Sequence, residues 1–417
     1  MFYANALITN DAIVFGLLMG ILAAIFITAN SDKPFWQKFY RFVPALLLCY
    51  FIPSLLTTFG VVSEADSNLY FVASRYLLPA CLVLLTLSID FKGIINLGPK
   101  AIIMFVTGTV GILIGGPMAM IIVGYFNPEI VGGAGPEEVW RGLSTIAGSW
   151  IGGGANQAAM YEMFDPSDEL FGAMVTVDIL VANVWMAFLL YGAGMSERVD
   201  GWFKADASAI TELRNSIEEY RASIARVPTF VDLVKLGAIA FVITAAGHVA
   251  GDTIAPWIEA NSPFLTQFSL NSPFFWIIVV ATTGGLVISF TPLRKLEGAG
   301  ASKIGSLFIY ILVMTIGMKM DIRSILDAPG YFVIGAVWIL FHITLLLSVG
   351  KLIKAPFFFT AVGSQANIGG AASAPIVASA FHPALAPVGV LLAVLGYALG
   401  TYAAYVCGLL MQYVSLM

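Results

Sequence analysis

The chain has 417 residues, of which 59% are hydrophobic and only 11% are charged, and its net charge is −5. Soluble proteins carry roughly a quarter of their residues as charged side chains, so this composition excludes an ordinary soluble domain and indicates a protein that crosses a membrane many times. Cys49, Cys81 and Cys407 lie in apolar runs without disulfide or metal-site spacing. We expect these three thiols to pack in the interior.

About ten apolar segments are long enough to cross a bilayer as helices. In the first half of the chain the predicted spans are residues 11–29, 43–62, 69–89, 101–126 and 171–194. In the second half they are residues 229–250, 272–291, 303–320, 331–350 and 386–411. This pattern predicts an all-α polytopic membrane protein.

Two further apolar segments, residues 139–165 and 355–381, are interrupted by glycine-rich polar stretches. These stretches read GSWIGGGANQ from Gly148 and GSQANIGG from Gly363. Lipid cannot satisfy irregular backbone, so such stretches are stable at membrane depth only inside protein or beside a watery cavity. We therefore predict two re-entrant hairpins that each enter and leave on one side. Paired broken segments in the two halves of a membrane protein are typical of the binding site of a secondary transporter.

The basic residues favour the same topology. With ten spans and two hairpins, most of the 20 Lys and Arg residues fall on one side of the membrane, as the positive-inside rule requires. A full crossing by the first glycine-rich segment would spread them more evenly over both sides. We predict a multi-pass protein of the plasma (bacterial inner) membrane with both termini outside and no cleavable signal peptide.

The two halves of the chain share an order of elements. Residues 87–99 align with residues 318–329, and each stretch is followed by a helix, a glycine-rich hairpin and a last long helix. Because each half has an odd number of crossings, the second half must be inverted relative to the first. We predict an N-terminal repeat over residues 1–194 and a C-terminal inverted repeat over residues 229–417. A cytoplasmic amphipathic linker over residues 195–228 joins them.

The tips of the hairpins are predicted to bind substrate between them. The N-terminus of a half-helix presents free N–H groups and partial positive charge, which suits a carboxylate. Ser373 is expected to cap a half-helix that begins near Pro375. The predicted substrate-binding residues are Ser149, Gly153, Asn156, Gln157, Ser364, Gln365, Asn367, Gly369, Gly370 and Ser373. Tight packing through small residues would explain the glycines but not the amide side chains.

One carboxylate is predicted to lie in mid-span. Asp178 falls within the 171–194 segment, where a charged side chain is costly and by default marks an ion path. It is the candidate ligand for Na⁺ or carrier of a coupling proton, and a structural hydrogen bond to a hairpin is the alternative. Asn183 in the same span and Thr401 in the last span are the other candidates for ion coupling.

The remaining polar side chains in or near the spans receive structural interpretations. Two Asp-x-basic pairs are expected to fix loops at helix ends, namely Asp90 with Lys92 and Asp321 with Arg323. Arg75 is expected to extend towards water or to pair with Glu64 or Asp66, and contact with an anionic substrate is the alternative. His342 stands alone in an apolar helix and is interpreted as a core residue.

The stretch from Thr145 to Asn156 and, more specifically, the segments 366–375 and 385–402 resemble the YjcL-like family of integral membrane proteins (domain of unknown function 819). The likeness covers most of the chain. More distantly, the architecture is similar to the sodium/glutamate and 2-hydroxycarboxylate symporters, which place a Gly-Gly-rich motif at each of two re-entrant hairpins. The matching positions here are Gly152, Gly153, Gly154, Gly369 and Gly370. The resemblance implies a homodimeric elevator, in which a transport domain with both hairpins slides against a scaffold.

The predicted function is cation-coupled symport, with Na⁺ or H⁺, of a small organic anion such as a carboxylate or an amino acid. A passive channel and a non-transporting membrane sensor on the same fold are the alternatives. We expect Na⁺ as the only candidate cofactor, and the bilayer, the substrate and a second copy as partners, with no nucleic acid. An enzyme is not expected, because the sequence lacks His-Glu-x-x-His, Gly-x-Ser-x-Gly and a pair of mid-span aspartates.

Overall fold

The computed structural model describes residues 6–43, 45–63, 67–205, 210, 227–268, 270–319, 329–382 and 385–417. Over these residues the secondary structure is helical, apart from an isolated bridge between Ile8 and Val62. Seven of the described helices are long and apolar enough to cross a membrane, or eight if a bent pair is one span. The chain is an all-α polytopic membrane protein, as its composition predicts.

Every predicted span coincides with a helix. Seven are the long helices Asp11–Ala29, Leu69–Leu87, Pro99–Phe126, Asp168–Ala193, Phe230–Asn261, Gly330–Leu352 and Ala386–Ser415. The other three are Ala45–Thr58, Pro273–Ser289 and Ala301–Gly317. The first and last of these three have 14 and 17 residues and are shorter than the apolar runs that predict them. The second ends in a 100° bend, where Pro292 lacks the N–H group that would continue the helix.

Local capping fixes where several helices begin. Asn10 accepts hydrogen bonds from the N–H groups of Ala12 (2.9 Å) and Ile13 (3.3 Å) at the start of the first span. At the start of the Phe230–Asn261 helix, the Thr229 hydroxyl accepts from the Asp232 N–H (3.2 Å), and the Asp232 carboxylate accepts from the Thr229 N–H (3.1 Å). This reciprocal capping box satisfies two otherwise unpaired donors.

Each glycine-rich segment folds back on itself as a pair of helices. The first hairpin consists of Val139–Gly152 and Gly154–Phe164, and the second of Phe357–Ile368 and Gly370–Phe381. Arg141 near the start of the first hairpin donates from Nη1 to the carbonyl of Phe164 at its end (2.6 Å). In the second hairpin, the ring centroids of Phe358 and Phe381 lie 5.3 Å apart. Both segments therefore begin and end at the same side of the molecule.

The long helices and hairpins pack into two bodies. The hairpin body contains both hairpins and the helices Pro99–Phe126, Asp168–Ala193, Gly330–Leu352 and Ala386–Ser415. The frame contains the helices Asp11–Ala29, Ala45–Thr58, Leu69–Leu87, Phe230–Asn261, Pro273–Ser289 and Ala301–Gly317. Contacts between the bodies come mainly from the second arm of the first hairpin and from the last helix. The first hairpin therefore lies at the boundary between the two bodies.

Small residues allow two helices of the hairpin body to approach closely. A Cβ built on Gly108 would lie 3.3 Å from the His342 ring, and one built on Gly115 would lie 2.7 Å from the Trp338 ring. Glycine thus makes room for two large side chains of the facing helix. The Trp338 ring also packs against Trp150 of the first hairpin, with centroids 5.1 Å apart.

The two Asp-x-basic pairs were predicted to fix loops, and the structure describes one Asp of these pairs. Asp90 forms an ion pair with Arg294 (2.6 Å), which joins two parts of the frame. The side chain of Lys92, the partner expected from the sequence, lies outside the described residues. The second Asp-x-basic pair, Asp321 with Arg323, lies outside them as well.

The described part of the linker contains the short helix Ser196–Phe203; residues 206–209 and 211–226 lie outside the described part of the chain. Asp200 of this helix accepts the N–H of Phe357 through Oδ1 (2.6 Å). Burial raises the pKa of Asp200, and the hydrogen bond from Phe357 opposes that rise. The linker thereby caps the helix that begins the second hairpin.

Candidate binding site at the hairpin tips

The tips of the two hairpins touch. Gly153 and Gly370 have positive φ angles of 73° and 56°, a conformation that favours glycine. A Cβ built on Gly153 would lie 3.9 Å from the Cα of Gly370, and the reverse distance is 3.7 Å. The prediction that Ser373 caps a helix starting near Pro375 is wrong, because the helix begins at Gly370 and includes both residues.

This contact brings two helix N-termini together. The helices Gly154–Phe164 and Gly370–Phe381 begin there, neither has a side-chain cap, and neither carries an acidic residue in its first turn. The first N–H groups of a helix lack intrahelical partners, and the helix dipole places about half a positive charge at that end. The junction of the tips is therefore suited to binding an anion.

Asp178 joins the two arms of the first hairpin. Its side chain is 4% exposed. Its Oδ1 accepts from Nε1 of Trp150 on the first arm (2.6 Å), and its Oδ2 accepts from Nε2 of Gln157 on the second arm (2.9 Å). The Tyr50 hydroxyl of the frame donates to Oε1 of the same Gln157 (3.1 Å). Among the described residues, no Lys or Arg forms an ion pair with Asp178.

A buried carboxylate without a cationic partner is a candidate for proton or cation binding. The described residues contain no group of three or more His, Cys, Asp or Glu side chains able to hold a metal ion. A Na⁺ ion at Asp178 would therefore need hydroxyl, amide and backbone oxygens to complete its shell. Ser149 interacts with the Asp178 carboxyl and is one such neighbour. Asn183 instead donates to the Ile179 carbonyl of its own helix (2.7 Å).

Asn156 connects the first hairpin to the last helix. Its Nδ2 donates to the carbonyls of Gly152 and Tyr397, both at 3.1 Å. The Thr401 hydroxyl donates to Oδ1 of Asn156 (2.6 Å). These bonds use both amide hydrogens and the amide oxygen. Asn156 therefore attaches the first hairpin to the last helix of the hairpin body. Thr401, which was predicted to couple an ion, is one of the hydrogen-bond partners of Asn156.

Asn367 makes the corresponding bonds for the second hairpin. Its Nδ2 donates to the carbonyls of Phe105 and Gly363, both at 2.9 Å, and its Oδ1 accepts from the Thr109 hydroxyl (2.7 Å). The carbonyl and the hydroxyl lie four residues apart on the Pro99–Phe126 helix, which is the spacing of Tyr397 and Thr401 around Asn156. Each hairpin is thus attached to a long helix by one fully bonded Asn side chain.

Ser364 belongs to a second buried network. Its hydroxyl accepts from Nε1 of Trp185 (2.8 Å) and lies 2.8 Å from Nε2 of His342. The other ring nitrogen of His342, Nδ1, lies 3.0 Å from the Gly108 carbonyl. Because a carbonyl only accepts, Nδ1 carries the proton, and Nε2 accepts from Ser364 when the ring is neutral.

Gln365 and Ser373 connect the arms of the second hairpin. Nε2 of Gln365 donates to the Ser373 hydroxyl (2.7 Å). A Cβ built on Gly369 would lie 1.6 Å from that hydroxyl oxygen, so both side chains lie directly against the Gly369 turn. The predicted residues Gly369, Gly370, Ser373 and Gln365 are therefore neighbours at one tip.

A polar cluster lies at the base of the first hairpin, away from the tips. Arg75 of the frame pairs with Glu162 (2.5 Å), which also accepts from the Tyr70 hydroxyl. Lys319 of the frame pairs with Asp168 (3.2 Å). The expected alternative partners of Arg75 lie in the 64–66 segment, outside the described residues. These ion pairs hold the hairpin body against the frame.

Sequence reasoning missed the partners that surround the predicted residues. Trp150, Trp185 and Thr109 each bond to a predicted polar side chain, and Tyr50 reaches one from the frame. The indole N–H of a Trp beside a glycine-rich stretch was an available signal, because a buried indole needs an acceptor. Trp185 and Thr109 are far in sequence from the side chains that they bond, so no local pattern indicated these bonds.

Comparison with known proteins identifies a family. The family described as "Protein of unknown function (DUF819)" matches residues 16–414. The chain is also 25% identical over 365 residues to the "Uncharacterized membrane protein YjcL" of Bacillus subtilis (strain 168). This alignment covers 84% of this chain and 85% of that protein. The chain therefore belongs to the DUF819 family of membrane proteins.

Proposed function

We propose that the protein is a secondary active transporter that couples Na⁺ or H⁺ to the symport of a small organic anion. The observation that carries the proposal is the meeting of two uncapped helix N-termini at Gly153 and Gly370. The helices Val139–Gly152 and Phe357–Ile368 end at the same glycine turns, so the junction offers N–H donors for an anion beside helix C-terminal carbonyls that suit a coupling cation. A carboxylate is the matching group, since backbone N–H donors bind it directly.

Asp178 is the proposed coupling residue. Its two oxygens hold one side chain from each arm of the first hairpin, so a proton or Na⁺ on the carboxylate changes how these arms are held. The tip at Gly153 lies between those arms. A cation that stabilises the arrangement of the tip that binds substrate strengthens substrate binding, and bound substrate strengthens cation binding by the same factor. Symport needs this reciprocal coupling.

Alternating access is proposed to come from movement of the hairpin body against the frame. The packing of the helices into two bodies supports this step. Near the first hairpin the bodies are joined by polar pairs such as Arg75–Glu162, which can break during the movement. A homodimer held by the frame, with inverted repeats, completes the proposal by similarity to elevator transporters. We place the protein in the bacterial inner membrane with both termini outside.

The test is ligand-dependent thermal stabilisation of the purified protein, followed by uptake into proteoliposomes. We expect at least one carboxylate or amino acid to raise the melting temperature more in one coupling cation than in its absence. Uptake of that ligand should depend on the gradient of the same cation. Ligand binding without uptake would instead identify a sensor, and cation-independent flux at more than about a thousand ions or molecules per second would identify a channel.

A further inference from the structure

The short helix Pro34–Phe42 separates aromatic from polar side chains. With 3.6 residues per turn, four aromatic residues fall on one side of the helix, namely Phe35, Trp36, Phe39 and Tyr40. Gln37 and Lys38 fall on the opposite side, and Lys33 directly precedes the helix. Aromatic residues on one side and basic residues on the other are typical of a helix that lies in the plane of a membrane interface.

Tyr40 fixes the depth of this helix in the membrane. Its hydroxyl donates to the carbonyl of Ile25 (3.0 Å) and lies 2.6 Å from the hydroxyl of Thr28. Thr28 is the second-last residue of the span Asp11–Ala29. The aromatic side of the short helix is therefore held at the end of a membrane span. This is the level of the lipid headgroups, where Trp and Tyr side chains are enriched.

The protein covers this aromatic side only in part. The rings contact one another, with the centroids of Phe35 and Trp36 5.0 Å apart and those of Phe39 and Tyr40 5.1 Å apart. Phe35 nevertheless remains 69% exposed. Exposure of aromatic surface to water is unfavourable, and lipid is the neighbouring molecule at this depth. The upper part of the acyl chains is therefore the cover that fits these rings.

We infer that the helix Pro34–Phe42 binds the headgroups of anionic phospholipids. Lys33 and Lys38 are exposed, and residues 31–43 contain three basic residues against one acid. Each basic side chain close to an anionic lipid surface strengthens binding by about fivefold. Zwitterionic lipids cover the rings equally well but lack this attraction. In the proposed topology the helix lies on the cytoplasmic side, and the inference does not depend on the transport activity.

Hydrogen exchange of the full-length protein in nanodiscs tests the inference without any substitution. One set of discs contains dioleoylphosphatidylcholine alone, and the other also contains dioleoylphosphatidylglycerol. We expect backbone exchange in the helix Pro34–Phe42 to slow at least about 2-fold in the anionic discs, because a bound lipid opposes local opening. High salt should reduce the difference. The short helix Ser196–Phe203 is the control, because it carries Glu197 and Asp200 and should exchange equally in both discs.

Two double variants then assign the lipid preference to particular lysines. Lys33→Gln with Lys38→Gln removes the two exposed charges beside the aromatic side. Lys235→Gln with Lys295→Gln is the matched control, because it removes the same net charge at two other exposed lysines. The melting temperature in detergent is measured while each lipid is added. We expect the apparent affinity for phosphatidylglycerol to fall at least about 5-fold in the first variant and to stay unchanged in the control.

Three results would overturn the inference. The first is equal exchange of the helix Pro34–Phe42 in the two kinds of disc. The second is an equal loss of the lipid preference in both double variants, which would show a general effect of net charge. The third is the same stabilisation by inorganic phosphate alone, which would identify an anion site that needs no lipid. Slower exchange in the anionic discs, lost only with Lys33 and Lys38, would support it.

Discussion

The two hairpins differ in the groups that connect their arms. In the first, the carboxylate of Asp178 accepts from Trp150 on one arm and Gln157 on the other. In the second, two neutral side chains, Gln365 and Ser373, bond across the tip. A carboxylate can bind a proton or a cation, whereas the neutral amide and hydroxyl of the second pair carry no charge. The difference predicts that ion dependence belongs to the first hairpin.

Replacement of Asp178 tests this division with the largest expected effect. In Asp178→Asn, the new NH₂ group must face the indole N–H of Trp150 or the amide N–H of Gln157, both of which are donors. Losing a hydrogen bond to a charged group costs about 1.5–3 kcal/mol. We expect the variant to fold with reduced stability and to lose cation dependence completely, measured by titrating Na⁺ and pH in the thermal assay.

Gln365→Met serves as the comparison for Asp178→Asn, because it alters the corresponding connection in the second hairpin. It should keep the wild-type cation dependence. Retained cation dependence in Asp178→Asn would remove Asp178 from the coupling step. Lost cation dependence in both variants would show that the cation effect is not confined to the first hairpin.

Substitution of Asn156 and Asn367 tests a feature that the two hairpins share. Asn156→Ala and Asn367→Ala each remove the amide acceptor of a Thr hydroxyl and the amide donor of two backbone carbonyls, at an expected cost of about 2–3 kcal/mol in the free energy of unfolding. Because the two sets of bonds match, the losses should agree within about 1 kcal/mol. Denaturation in a fixed detergent measures both, and a much larger loss for one would show that its hairpin is held more firmly.

How much of this site was predictable depends on the range of the interactions. The hairpins at 139–165 and 355–381 were predictable, because glycine and amides inside apolar runs have few stable arrangements at membrane depth. Asp178 was predictable as a candidate for the same reason. The lengths of the helices were less predictable, because the apolar run at 43–62 continues past the ends of the Ala45–Thr58 helix.

The partners of these residues were not predictable from one sequence. Thr109 and Asn367 are 258 positions apart, and only tertiary packing brings them together. The hydrogen-bond state of Gln365 likewise depends on the fold of the Gly369 turn. The inverted relation between residues 1–194 and 229–417 stays a prediction, in part because its motif at Asp321 lies outside the described residues.

Glycine substitutions at the tips are expected to have smaller effects on stability. Gly153→Ala and Gly370→Ala place a side chain at positive φ, which costs about 1–2 kcal/mol and favours a different backbone conformation at the turn that positions the helix N-termini. Gly154→Ala is the control, because Gly154 does not have positive φ and a Cβ there meets its nearest side chain, Ile309, at 3.9 Å. We expect both tip variants to weaken ligand binding and the control to preserve it. Unchanged binding in both tip variants would place the ligand elsewhere.

The smallest expected effect concerns the boundary between the bodies. Arg75 and Glu162 form an ion pair 2.5 Å long, with side chains 31% and 8% exposed. Partial exposure screens such a pair, so a double-mutant cycle with Arg75→Gln and Glu162→Gln should give a coupling of about 1 kcal/mol or less. A weak coupling suits a contact that breaks whenever the hairpin body moves. A coupling above about 3 kcal/mol would instead be typical of a desolvated pair and would fix the first hairpin to the frame, against the movement proposed here.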